Sequence, residues 1–121
     1  MISASHVLTG LIAALQMYFL VLEMFLWTTP FGLKTFNLTR EFAEQSRALA
    51  ANQGLYNGFL AAGLVWGLLS HQHGFAIQVF FLSCVIIAGL FGAATAKTTI
   101  LFVQALPAAV ALALVIAAHR T

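Results

Sequence analysis

Glu23 is the residue with the clearest potential for chemistry, because it is the one acidic side chain inside the four long apolar stretches of the chain. It lies in the segment Glu23-Met24-Phe25-Leu26-Trp27-Thr28-Thr29-Pro30. An ionised carboxylate in hydrocarbon is costly unless it is paired, hydrated or protonated, so it usually faces a bundle interior. We interpret Glu23 as a candidate for binding a proton or a ligand. The alternative is an interfacial anchor that reaches Lys34 or Arg47.

Further polar side chains lie in or next to three of the apolar stretches. Thr9 and Gln16 precede Glu23 at intervals of seven residues and therefore share its helix face. The second and fourth stretches add the rest, and the candidates for ligand or proton binding are Glu23, Gln16, Asn52, Gln53, Tyr56, Asn57, Gln104 and Lys97. We expect three helices to deliver these groups to similar depth, except for Gln16, which extends the polar face of the first span toward the midplane. The stripe Thr9, Gln16 and Glu23 lines a path or, equally, forms a hydrogen-bonded seam between helices.

The second stretch is unusually rich in glycine as well as in amides. At about 100° per residue, one narrow face of this helix, flanked by Gln53 and Asn57, contains Asn52, Tyr56, Gly63 and Gly67. We expect that face to point inward. The pairs Gly54/Gly58 and Gly63/Gly67 allow close contact with another helix, within the bundle or across a dimer.

Other catalytic and metal-binding patterns are missing from the sequence. There is no nucleophile–base pair, paired-acid motif, cysteine-rich metal site or haem-ligand arrangement, so catalysis has no positive support and the cofactor is unknown. His71 and His73 form a His-x-His pair that we interpret as a solvated loop, not a metal site, since no acid or cysteine is near. The single cysteine, Cys84, excludes an internal disulfide and is interpreted as a packing residue.

Composition determines the broad class of the protein. Hydrophobic residues make up 62% of the 121 residues and charged residues 7%, and the mean hydropathy is +0.99. These values exclude a soluble globular domain and predict an integral membrane protein whose partner is the lipid bilayer. Eight scattered charged side chains do not form a nucleic-acid surface. The chain is too short for a second folded unit, so we predict a single transmembrane domain over residues 1–121.

Four stretches are long enough for helices that cross the hydrocarbon core, at about residues 8–27, 49–69, 75–91 and 98–118. Short links force neighbouring spans to be antiparallel, so the predicted fold is all-α, an up-down four-helix bundle in the membrane. The longest connection, residues 28–48, is expected to lie at the cytoplasmic interface. Pro30 and Gly32 should stop the first helix, and a helix capped by Thr39 should continue into the second span.

The basic residues predict the orientation of the chain. Lys34, Arg40 and Arg47 lie in the first connection and Lys97 in the third, whereas Arg120 lies at the C-terminus. By the positive-inside rule, these connections are cytoplasmic and both termini lie outside. We therefore predict a multi-pass protein of the cell (inner) membrane.

Several segments resemble those of a family of small four-helix membrane proteins of bacteria and fungi, catalogued as a domain of unknown function. The segments are Glu23 to Pro30, Leu49 to Gly63, Gly89 to Thr95, and Val103-Gln104-Ala105-Leu106-Pro107. The resemblance covers nearly the whole chain. It implies the membrane-embedded helical fold and no activity.

Three functions remain open from the sequence. The first is a small transporter or proton-coupled carrier that acts as a homodimer; its plan of four short helices with a glutamate in the first looks like that of the small multidrug-resistance transporters. Here, however, the glutamate lies nearer the helix end and their other motifs are absent. The second is a binding or enzymatic pocket for an apolar molecule of lipid or quinone type. The third is a structural or accessory subunit whose polar seam joins helices.

Overall fold

The computed structural model of the protein describes residues 3–95 and 101–120. Within these ranges the chain is helical apart from short turns, and it forms no strand. The helices in chain order are α1 (Ala4–Met24), α2 (Pro30–Phe36), α3 (Arg40–Gln45), α4 (Arg47–Leu69), α5 (Gly74–Thr95) and α6 (Leu106–Arg120), with a π-helical turn at Leu101–Ala105. The all-α prediction is confirmed.

Among the described residues, three helical segments are long and apolar enough to cross a membrane, namely Ala4–Met24, Gly74–Thr95 and Phe102–Arg120. At about 1.5 Å per residue, a helix of this length spans the hydrocarbon core, which is about 30 Å thick. These segments indicate a membrane protein. α4 is as long, with 23 residues, but the amides of Asn52, Gln53 and Asn57 make its first half too polar to qualify. The four-helix membrane bundle stays a prediction.

The first helix ends earlier than the sequence predicted. α1 stops at Met24, and the N–H groups of Phe25 and Leu26 both donate to the carbonyl of Val21 in its closing turn. Pro30 instead occupies the first turn of α2, where its missing N–H costs no hydrogen bond. The prediction that Pro30 and Gly32 stop the first helix is therefore wrong.

Gly32 has a different role, which is to let α2 fold back onto the turn before it. The residue is buried, and a Cβ atom there would overlap the backbone carbonyl of Leu26. Thr29 caps α2, because its side-chain oxygen accepts a hydrogen bond from the N–H of Gly32 at 3.3 Å. Any side chain at position 32 would push α2 away from that turn.

A tight reversal separates α2 from α3. Asn37 adopts the left-handed conformation with φ 55°, which asparagine tolerates, and closes α2. Thr39 then accepts a hydrogen bond from the N–H of Phe42 at 3.1 Å, which confirms the predicted helix start after Thr39. The expectation that this helix runs on into the second span is wrong. α3 ends at Gln45, and Ser46 separates it from α4.

The chain forms two compact units, one of Met1–Ala14 with Leu60–Thr121 and one of Leu15–Phe59. The prediction of one transmembrane domain over residues 1–121 stays a prediction. The core of the first unit consists of apolar side chains from α1, α4, α5 and α6, namely Ile12, Ala13, Leu64, Leu82, Val85, Ala108, Ala111 and Val115.

Close contact between α4 and α5 in this unit depends on two glycines of α4. A Cβ atom at Gly63 would collide with the ring of Phe81, and one at Gly67 would lie 2.7 Å from the Cγ atom of Gln78. The buried side chain of Gln78 donates from Nε2 to the Gly67 carbonyl at 3.2 Å. The pair Gly63/Gly67 thus allows a helix contact within the chain, as one of the two sequence interpretations proposed.

The π-helical turn Leu101–Ala105 precedes Pro107, which has no N–H to donate to the preceding turn and whose ring crowds the carbonyl four residues earlier. A wider turn relieves that crowding. The turn packs against α5 at Gly89, where a Cβ atom would lie 2.8 Å from both the N and Cβ atoms of Ala105. Gly89 therefore lets the end of α5 approach this backbone.

We expect Gly89→Ala to destabilise the protein by about 1 to 3 kcal/mol, because the added methyl group meets backbone atoms of Ala105 that cannot move independently of their helix. The matched control is Gly10→Ala, whose Cβ atom would lie 3.9 Å from the Leu68 side chain in ordinary contact. The control should be neutral or slightly stabilising. The free energy of unfolding of both variants is measured in detergent, with the helical circular dichroism signal as the probe. Equal stability of the two variants would contradict the close approach of Gly89 to Ala105.

Candidate functional site

Glu23 and Asn57 form a hydrogen-bonded pair between α1 and α4. The Nδ2 atom of Asn57 donates to Oε1 of Glu23 at 2.6 Å. Asn57 is 5% exposed, and Glu23 is half-buried at the next-to-last position of α1. A short hydrogen bond to a carboxylate is among the stronger ones in proteins, so this contact gives Glu23 the partner that its apolar surroundings require.

The pair forms because two glycines of α4 let that helix approach α1 closely. A Cβ atom at Gly54 would lie 2.7 Å from Cγ of Met24 and 3.1 Å from Cβ of Glu23, and one at Gly58 would lie 2.7 Å from Leu20. Asn57 is three residues after Gly54 and lies on the same side of α4. The predicted role of Gly54/Gly58 in helix contact is thus realised within the chain.

The predicted inward face of α4 is wrong for its first half. Asn52, Gln53 and Tyr56 are exposed, whereas the buried positions of α4 there are Ala50, Gly54 and Asn57. Asn52 and Gly54 are two residues apart and point to nearly opposite sides of a helix. Since α1 packs where glycine leaves room, the glycine pair decides which face is buried. The amides do not.

The remaining candidates are distributed along other parts of the chain. Thr9 and Gln16 are both fully buried, which agrees with a buried polar face on α1. Gln104 is partly buried in the π-helical turn. Lys97 lies outside the described residues. Of the sequence candidates, the structure pairs Glu23 with Asn57, and the similar depth of the others stays a prediction.

A cleft of about 460 Å³ opens beside this pair, between the end of α1 and the start of α4. Its lining combines the polar residues Arg47 and Thr28 with aliphatic and aromatic ones, and the lining residues are Met24, Phe25, Trp27, Thr28, Arg47, Ala48 and Ala51. Sequence reasoning treated Arg47 as a topology determinant and Trp27 as an interfacial aromatic, and it missed the cleft. The two sides of the cleft come from distant parts of the chain, which no local pattern connects.

A hydrogen bond fixes the two sides of this cleft. The indole Nε1 of Trp27 donates to Oγ of Ser46 at 3.0 Å, across 19 residues of sequence. The Ser46 hydroxyl in turn donates to the carbonyl of Phe42 at 2.7 Å, and the Trp27 ring lies 4.9 Å from that of Phe36. Trp27 thereby joins the turn after α1 to the residue that directly precedes Arg47.

Metal chemistry has no visible site in the described part of the chain. Among residues 3–95 and 101–120, no group of three or more His, Cys, Asp or Glu side chains is arranged to hold a metal ion. His71 and His73 are exposed in the turn between α4 and α5.

Comparison with known proteins identifies the family. The family described as "Protein of unknown function (DUF1304)" matches residues 10–116. The chain belongs to this family. It is also similar to an uncharacterized protein, YpaA, of Lactococcus lactis subsp. lactis (strain IL1403), with 28% identity over 101 residues that cover 81% of this chain and 85% of the relative. No solved structure matches the chain significantly.

The match confirms the resemblance drawn from the sequence segments. Neither the description of the DUF1304 family nor the name of the relative gives an activity. The contact between Glu23 and Asn57 and the cleft next to it both lie within the unit Leu15–Phe59 and within the matched region.

We expect Asn57→Ala to destabilise the DUF1304 protein by about 0.6 to 1.7 kcal/mol, the range for polar contacts between membrane helices, because Glu23 loses its donor. The control is Asn52→Ala on the exposed face of the same helix, which should change stability by less than about 0.5 kcal/mol. Unfolding in mixed micelles compares the two variants. A larger loss for Asn52→Ala would mean that the predicted inward face holds in the membrane.

Proposed function

We propose that this DUF1304 protein is a small proton-coupled membrane carrier in which Glu23 binds a proton or the cationic group of a substrate. The observation that carries the proposal is the 2.6 Å hydrogen bond from Asn57 to Glu23, at the end of a helix long and apolar enough to cross a membrane. A carboxylate in such a segment is by default a functional site.

Asn57 is a suitable partner for a carboxylate that alternates between its ionised and protonated forms. An amide carries both donors and an acceptor, so Asn57 can donate to the ionised carboxylate and accept from the protonated one. An arginine or lysine partner would instead favour the charged form alone. Glu23 is also half-buried, which leaves it open to protons and to a substrate.

The proposal includes a four-helix, up-down arrangement in the cell membrane, with α4 as the fourth spanning helix. The 23 residues of α4 are long enough for this role. Lys34, Arg40 and Arg47, all exposed on α2, α3 and the start of α4, support a cytoplasmic position for this connection and external termini. The whole chain then forms the single transmembrane domain.

A homodimer is part of the same proposal, because one chain of 121 residues is too small to enclose a transport path alone. α4 supports it with large exposed apolar side chains, among them Leu55, Phe59 and Trp66. A second copy or lipid must cover them. Thr9 and Gln16, buried on the same helix as Glu23, would extend the polar face along α1.

A second candidate function is the binding of an apolar molecule of lipid or quinone type. The cleft of about 460 Å³ favours it, because its volume is in the range of small-molecule sites and part of its lining is aliphatic and aromatic. Glu23 and Asn57 do not line the cleft, so they would orient the polar end of the ligand only if it reached past the lining residues. The exposed Gln53 and Tyr56 would contribute only if the ligand or a second copy reached the outer face of α4.

Proton flux in liposomes tests the carrier. The protein is reconstituted in liposomes that contain a pH dye and have a more acidic interior than exterior. Lipophilic cations are then added outside, beginning with tetraphenylphosphonium and ethidium. We expect cation-dependent proton movement in the wild type and a loss of at least about tenfold in Glu23→Gln, because removal of a positioned proton acceptor costs this much or more.

The chain offers matched controls, since its two other acids, Glu41 and Glu44, are exposed on α3. Glu41→Gln and Glu44→Gln remove the same charge and should keep full flux. Wild-type liposomes that couple none of a broad cation panel to protons would refute the carrier. Unchanged flux in a folded Glu23→Gln would refute the role of Glu23. Lower stability with no flux in any variant would favour the accessory subunit.

A further inference from the structure

The cleft beside α1 and α4 has a marked asymmetry of charge. Arg47 is the one charged residue of its lining, which includes no carboxylate, while Thr28 adds a hydroxyl group and Met24, Phe25 and Trp27 supply apolar and aromatic surface. Such a lining fits a molecule with an anionic head and an apolar tail. The nearest acidic side chain in sequence, Glu23, is engaged by Asn57 and is not among the lining residues.

The position of the cleft along the helices indicates the depth at which it lies. It opens where α1 ends, and α1 is as long as the hydrocarbon core is thick, so the residues after Met24 reach the level of the lipid headgroups. Trp27, whose indole N–H donates to Ser46, has the amphipathic character typical of that level. The short helices α2 and α3 expose Phe31 and Phe42 next to basic residues, as interfacial segments do.

We propose that this cleft binds an anionic phospholipid of the surrounding bilayer, with Arg47 on the phosphate and with Trp27, Phe25 and Met24 against the upper acyl chain. The guanidinium group of arginine matches phosphate oxygens in a two-pronged hydrogen bond. A volume of about 460 Å³ holds a headgroup and the first carbons of the tails, and the rest of the tails stays in the bilayer. The inference deepens the second candidate function, whose cleft it uses, and it is independent of the proposed carrier, because it does not use the Glu23 carboxylate.

The bond between Trp27 and Ser46 makes the site specific to this fold. It holds the aromatic wall of the cleft next to the first residue of α4, which is Arg47. Arg40, one of the other exposed basic residues of the same connection, lies on α3 and does not line the cleft. A generic attraction of anionic lipids to basic residues would treat Arg40 and Arg47 alike. A binding site formed by this cleft would instead depend on Arg47 and not on Arg40.

The test uses the full chain in nanodiscs of equal parts phosphatidylglycerol and phosphatidylcholine. After gentle release, native mass spectrometry counts each lipid retained per protein. We expect the wild type to retain phosphatidylglycerol preferentially. Arg47→Gln should reduce that preference about fivefold, which corresponds to about 1 kcal/mol for one basic residue at the membrane surface.

Arg40→Gln is the matched control and should retain phosphatidylglycerol as the wild type does. Ala51→Leu, which fills the cleft without a change of charge, should also lose the lipid. Equal retention of the two lipids by the wild type would overturn the proposal, and so would equal losses in Arg47→Gln and Arg40→Gln. Displacement of the lipid by inorganic phosphate alone would mean an anion site without a lipid, which also overturns it.

Discussion

The close approach of α4 to α1 is the constraint on which the unit Leu15–Phe59 depends. An acidic side chain in an apolar helix has to find a partner, and Asn57 provides one at 2.6 Å. That distance requires that nothing larger than a hydrogen atom project from Gly54, because a Cβ atom there would press on both Met24 and Glu23. Polar pairing and glycine packing are therefore two aspects of one contact.

Short-range capping and hydrogen-bond interactions determine the conformation of the connection between α1 and α4. α2 and α3 have seven and six residues, too few for stable helices on their own. Thr29 and Thr39 cap their starts, and Asn37 ends α2 in the left-handed conformation. The Trp27–Ser46 hydrogen bond then ties the turn after α1 to the end of α3. Each of these interactions contributes little stability, but together they place Arg47 beside the aromatic wall of the cleft.

Sequence reasoning succeeded where a local or periodic signal determines the structure. Long apolar runs predicted the helices near α1, α5 and α6 that are long and apolar enough to cross a membrane, and Thr39 predicted the start of α3, because capping depends on a few neighbouring residues. It selected both Glu23 and Asn57 but not their pairing. It also placed Asn52 and Tyr56 on the wrong face, since it oriented α4 by its polar residues, whereas the helix packs by its glycines.

The exposed amides of α4 restrict how this helix can lie in a membrane. Asn52 and Gln53 point away from α1, within the first two turns of α4, where hydrocarbon would leave them without hydrogen bonds. If α4 crosses the membrane, they need headgroups, water or a second chain as partners. Arg47 lies at the start of the same helix, so a headgroup position for the first turns satisfies all three residues together. The 16 residues 54–69 would then remain for the core, a length of roughly 24 Å, which is shorter than its thickness of about 30 Å. A full crossing by α4 thus requires a second surface against Asn52 and Gln53, and for this reason the membrane role of α4 and the oligomeric state are one question.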